Sequence, residues 1–186
     1  MKTLSPTLWR TCRMLSGQTR IRLLRHLHDH PGHHVSELAR MLGIGVSDAS
    51  QELRRIQSRG LLQADYHGAR LIYRLGADPL VYSADPVLKA LRTALASSPP
   101  ADDERLQWIA KGLGHRKRIA LVELLGKGPR TAIVLQQEMQ TPFCGISPHL
   151  RILRESGFIR REGQVYHLAA PSHPLARTLL KLLFKH

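Results

Sequence analysis

Residues 15–62 read LSGQTRIRLLRHLHDHPGHHVSELARMLGIGVSDASQELRRIQSRGLL, and residues 113–159 read LGHRKRIALVELLGKGPRTAIVLQQEMQTPFCGISPHLRILRESGFI. The two stretches align with a single one-residue gap. Arg20-Ile21 falls on Arg118-Ile119, Leu38 on Leu135, Ser50 on Ser147, Leu53-Arg54 on Leu150-Arg151 and Gly60 on Gly157, with a constant offset of 97 from Leu38 to Gly60. Self-similarity at this scale marks a repeated supersecondary unit. It implies two copies of a small module that makes the same kind of contact twice.

The hydrophobic period within each copy predicts helix, helix, helix, hairpin. Ile21, Leu23, Leu24 and Leu27 recur at helical spacing, as do Ile119, Leu121, Val122 and Leu125. Pro31-Gly32 and the stretch Gly126 to Pro129 end these helices. A short second helix follows, with Leu38, Met41 and Leu42 as its apolar face, matched by Leu135 and Met139.

After a tight turn a third helix is expected from about Ser47, a good N-cap residue, with Asp48 in its first turn. Ala49, Leu53 and Ile56 form its seam, and Ile146, Leu150 and Leu153 form the second copy's. Ser147-Pro148 has the form of N-cap and first helical residue, which would start that helix three residues later than its counterpart. Gly60 or Gly157 stops the helix, and β-prone segments around Gly68 or Gly163 form the hairpin, four residues shorter in the second copy.

Apolar stripes flank each copy, Leu8 to Leu15 and Val87 to Leu95 around the first, Leu106 to Leu113 and Leu175 to Phe184 around the second. The Pro/Ser-rich, acidic stretch from Ser97 reads as a linker. The expected organisation is therefore mainly α with small β-hairpins (α+β). One winged helix-turn-helix domain spans residues 1–96, a linker 97–104, and a second such domain 105–186.

Charge points to the partner. The chain has 28 Lys plus Arg against 14 Asp plus Glu, and each half carries +7. A basic tail would have put the excess at one end; two equally basic modules point to a polyanion met by both. Arg supplies 21 of the 28 cations, and its planar fork suits phosphates and base edges.

Helix, turn, helix and hairpin is the layout in which the third helix enters the major groove and the hairpin lies against the backbone. The residues off the first seam, Ser47, Asp48, Ser50, Gln51, Arg54 and Arg55, are the expected double-stranded DNA contacts. Ser147, His149, Arg151 and Arg154 are their counterparts, and Arg70, Arg74, Arg160 and Arg161 arm the two wings.

LSGQTRIRLLRHL followed by VSELARMLGIGVSDASQELRRIQSRGLL resembles the arsenic-repressor-like (ArsR-type) winged-helix transcription regulators. The likeness rests on Ser47-Asp48-Ala49-Ser50, then Leu53 and Ile56. The second copy keeps Ser147, Leu150, Leu153 and Gly157 but has Cys144 where the first serine would stand. The resemblance implies a sequence-specific transcription regulator, expected to be a repressor. It also implies that the first and last helices would pair the two copies into an intramolecular pseudo-dimer; a further homodimer of whole chains is the alternative assembly. A protein–protein assembly module and a non-specific architectural DNA binder are the competing readings.

Metal-sensing relatives carry Cys-x-Cys on the second helix, or Asp, His and Glu sets on the last. Here that helix reads SELARML or IVLQQEM, and the last helices offer Asp85 or His173 alone. No metal or cofactor is expected: His26, His28, His30, His33 and His34 cross a helix end and a Pro-Gly turn, with i, i+4 pairing only at His26–His30 and His30–His34. No nucleophile-base set, phosphate-binding glycine loop or carboxylate pair suggests an enzyme. Cys12 and Cys144 lack disulfide or metal spacing, no run of about 18 apolar residues occurs, and no signal-peptide pattern opens the chain. The expectation is a cytoplasmic protein without a membrane partner.

Overall fold

The computed structural model describes residues 7–185. The elements run α1 (Leu8–Leu15), α2 (Gln18–Asp29), β1 (His33–His34), α3 (Val35–Leu42), α4 (Val46–Gln57), β2 (Leu62–His67), β3 (Arg70–Leu75) and α5 (Ala84–Ser97). The same order then repeats as α6 (Asp103–Leu113), α7 (Arg116–Gly126), β4 (Arg130–Thr131), α8 (Ala132–Met139), α9 (Phe143–Glu155), β5 (Ile159–Glu162), β6 (Val165–Leu168) and α10 (Pro174–Leu183). The architecture is mainly helical, with two antiparallel three-stranded sheets ordered β1-β3-β2 and β4-β6-β5. The third strand of each sheet is two residues long, too short to leave a period in the sequence, and it was not anticipated.

The seams form the core as their spacing requires. Ile21, Leu24 and Leu27 of α2, Leu38 and Leu42 of α3, and Ala49, Leu53 and Ile56 of α4 are buried together. Leu121, Val122, Leu125, Leu135, Ile146, Leu150 and Leu153 repeat the arrangement. Met41 departs from expectation: it is 43% exposed, because Ala39 instead completes the inner face of the short α3.

The turn between α3 and α4 needs a left-handed residue, supplied by Gly43 at φ +67°. Its counterpart is Gln140 at φ +47°, a side-chain-bearing residue in a region that costs roughly 1–2 kcal/mol. Gly60, at φ +72°, ends the α4 segment where a Cβ would come within 2.9 Å of the Val81 Cβ and 3.1 Å of the Ala84 Cβ.

Helix α1 packs on α6, and α5 packs on α10, so each flanking helix meets the one at the equivalent place in the repeated order. Gly114 lets α1 approach closely; a Cβ there would stand 3.3 Å from the Arg13 backbone. Between α5 and α6 only residues 98–102 intervene, including a single 3-10 turn at Pro100–Asp102.

That junction is pinned. Arg25 of α2 donates from Nε to both Asp103 carboxylate oxygens (3.0 and 3.1 Å) and from Nη2 to Oδ1 (2.6 Å). It also donates to the Leu95 and Ser98 carbonyls, at 2.9 and 3.0 Å. Both side chains are nearly buried. No helix among the described residues is long and apolar enough to cross a membrane.

Candidate nucleic-acid interface

Helices α4 and α9 start at Val46 and Phe143, 97 residues apart, so the two begin in register. This corrects two expectations. Gly45, not Ser47, is the N-cap of α4, leaving Ser47 and Asp48 in the first turn. Helix α9 does not start at Pro148 but contains it. Pro148 stands at the sixth helical position, where it removes one i to i−4 bond. At the start of the helix Gly145 donates to the Pro142 carbonyl in a tightened turn (2.8 Å).

On α4, Ser47, Asp48, Gln51, Arg54 and Arg55 are exposed and Ser50 is half-buried. Arg54 has no ion pair among the described residues, whereas Arg55 leans on Glu52 at 2.5 Å. On α9, Arg151 and Arg154 are exposed, Arg151 facing Glu155 at 3.5 Å, and Ser147 is half-buried. In the wings, Arg70 and Arg74 are exposed, with Arg74 on Asp65 at 2.8 Å. Arg160 pairs with Glu162, and Arg161 bonds the Gly163 carbonyl (2.8 Å) and lies over Tyr166. The longer first hairpin thus carries its arginines on six-residue strands, the second on four-residue ones.

His149 faces inward, unlike the outward row in which the sequence put it. Its ring stacks on His115 with centroids 4.6 Å apart, and its Nδ1 lies 3.4 Å from an Arg118 nitrogen. Burial, followed by the nearby His115, Arg118 and Lys117, pushes its pKa down to about 4, so the ring is neutral at pH 7.

The repeat explains this placement. His149 sits 97 residues after Glu52, and Glu52 is held by Arg20 at 2.6 Å. Arg20 and Arg118 are themselves equivalent: Arg20 Nε donates to the Met14 carbonyl, and Arg118 Nε to the Gly112 carbonyl at 2.9 Å. Each arginine ties the helix before it to the exposed helix, through a carboxylate in one copy and an imidazole in the other. The sequence does not give Glu52 and Arg20 this supporting role, although the alignment of Arg20 with Arg118 is the available signal.

Val46 and Phe143 were missed as well. They occupy the first position of α4 and α9, and are 51% and 45% exposed. Two apolar side chains at matched, outward-facing helix starts are unlike the charged face that follows them.

The histidines gather in part: the His26 ring lies 5.3 Å from His30 and 5.1 Å from His33, centroid to centroid. No group of three or more His, Cys, Asp and Glu among the described residues has the geometry to hold a metal ion.

Residues 15–71 match the family model of the MarR family. That span runs from the end of α1 through α4 into the hairpin, and it marks a winged helix-turn-helix domain in the first copy. The matching model is not that of the arsenic-repressor-like group, whose serine pattern lies in the same stretch. No curated protein matches the chain.

Proposed function

We propose that this protein is a sequence-specific double-stranded-DNA-binding transcription regulator, acting as a repressor, in which one chain supplies two non-identical reading heads. Residues 97–104 were expected as the linker, but Ser97 closes α5 and Asp103 and Glu104 open α6, so we put the division between the two domains in the connection 98–102 and join them as an intramolecular pseudo-dimer. The observation that carries the reading is that α4 and α9 start at the same repeat position and turn arginine-bearing faces outward. The pairing of α1 with α6 and of α5 with α10 supports the pseudo-dimer, since a two-fold arrangement brings like helices together.

Heads on a two-fold scaffold meet successive major grooves about 34 Å apart, one turn of the duplex. Arg54 and Arg55 on one head, and Arg151 and Arg154 on the other, reach guanines or phosphates, and Gln51 suits adenine. The short connection held by Arg25 and Asp103 means the second head is already positioned when the first has bound, which lowers the entropic cost of its docking. An acidic exposed helix would favour the protein-assembly reading, but Glu52 gives it little support, because its carboxylate is taken up by Arg20 and Arg55.

Since the heads differ, the preferred site is an imperfect palindrome or an unlike pair of half-sites. Selection of bound duplexes from a random pool tests this. Two distinct half-sites about 10 base pairs apart support the proposal; a perfect inverted repeat, or enrichment of no sequence at all, refutes it.

A further inference from the structure

Arg10 and Arg13 of α1, Arg20 of α2, Arg55 of α4 and Arg59 just beyond it line one groove of about 460 Å³, with Trp9, Met14 and Ser58 completing the wall. Five guanidinium groups face this space and no carboxylate lines it. Glu52 takes up Arg20 and Arg55. Arg10, Arg13 and Arg59 have no ion pair among the described residues. Arg10 lies over the Trp9 ring, and so does Arg116 of α7, each 5.3 Å from the centroid.

The repeat supplies an internal control. In the second copy Arg55 is replaced by Ile152, Ser58 by Glu155 and Arg59 by Ser156. The hollow beside Glu155 there is lined by Asp102, Glu104, Arg105, Trp108 and Ala101, so three carboxylates face one guanidinium. The basic groove is a property of the first copy and not of the duplicated fold. Like charges crowded into one hollow repel, a cost that an anion occupying the hollow removes. Several planar forks converging on one volume suit an anion with many oxygens, phosphate above all. Because the groove occurs in one copy, a contact made equally by both reading heads does not account for it.

We propose that this groove is a binding site for a phosphate-bearing anion, one per chain, formed by Arg10, Arg13 and Arg59 around Trp9. The same chemistry is offered by a free phosphorylated small molecule and by the backbone of a duplex, and the two sources separate experimentally. The full chain carrying Trp108→Phe keeps Trp9 as its single tryptophan. It is titrated with inorganic pyrophosphate at constant ionic strength while Trp9 fluorescence is followed.

A saturable one-to-one change, weakened at least about tenfold by the pair Arg13→Ala and Arg59→Ala and by Arg13→Glu alone, establishes a free-anion site. Arg13 is exposed, so Arg13→Glu leaves the core untouched. If pyrophosphate gives no response but the paired variant weakens duplex binding and lowers the salt slope by about 0.9 per lost phosphate, the site takes the DNA backbone. If neither pyrophosphate binding nor duplex affinity depends on Arg13 and Arg59, the proposal is wrong. Loss of duplex binding in variants of Arg54 and Arg151 alone bears on the reading heads and leaves this site unaffected.

Discussion

The contact between Arg25 and Asp103 gives the sharpest quantitative expectation, because it is buried and joins α2 to the helix that opens the second half. Arg25 is 8% exposed and Asp103 7%, and three of the guanidinium contacts end on the carboxylate. Asp103→Ala strands a buried positive charge, which costs about 3–5 kcal/mol in such settings. The Leu95 and Ser98 carbonyls still accept from Arg25, which puts the cost at the lower end, about 3 kcal/mol. With a urea slope of about 2 kcal/mol/M, the midpoint of unfolding should fall by roughly 1.5 M. Replacing both residues, Arg25→Met with Asp103→Leu, removes the charge and its partner together and should cost less than about 1 kcal/mol. Urea denaturation followed by far-UV circular dichroism measures all three proteins. A midpoint shift below about 0.3 M for Asp103→Ala, or a double variant as damaged as the single one, would refute the reasoning.

Three further expectations concern the reading heads and their supports. The His149 ring is held at about 4 when folded but returns to the ordinary value of 6.5 when unfolded. The unfolded chain therefore binds the extra proton between these values, so this ring's contribution to stability is level above pH 6.5 and declines as pH falls toward 4. After allowance for solvent screening the loss is about 1–2 kcal/mol, and His149→Gln should remove that part of the slope in melts taken from pH 7 to pH 4. Gly60→Ala should cost about 2–4 kcal/mol, from left-handed strain plus the clash with Val81 and Ala84, whereas Gly157→Ala meets nothing within 4 Å and should cost only about 1–2 kcal/mol. Equal losses would show that the Val81 contact is unimportant. Val46 and Phe143, apolar and outward at the helix starts, should touch thymine methyl groups. Replacing those thymines by uracil in the selected duplex should weaken binding by roughly 0.8 kcal/mol each, about fourfold, and Val46→Ala or Phe143→Ala should abolish the difference.

Much of the fold was legible because the repeat and the 3.6-residue period carry redundant information. Leu38, Leu53 and Ile56 predict their buried faces, and the second copy restates them as Leu135, Leu150 and Leu153. Short-range rules failed where tertiary context decides. Ser147-Pro148 looks like a helix start, yet Pro148 lies inside α9, which starts at Phe143 in register with Val46. The two-residue strands β1 and β4 are too short for any periodicity, and they exist because β3 and β6 offer them an edge. His149 reads as a surface residue by type, and its inward position becomes visible only when it is aligned with Glu52 and the arginine that each faces. The Arg25–Asp103 contact links residues 78 apart, beyond the reach of any local pattern.

On the proposed reading one chain presents two different heads to one duplex. Hydroxyl-radical footprinting together with guanine methylation interference on the selected duplex, at a measured ratio of one chain per duplex, tests it most directly. Two major-groove patches about 10 base pairs apart are expected, with Arg54→Ala erasing protection in one and Arg151→Ala in the other. A single patch, or two patches that appear only with two chains bound, would contradict it.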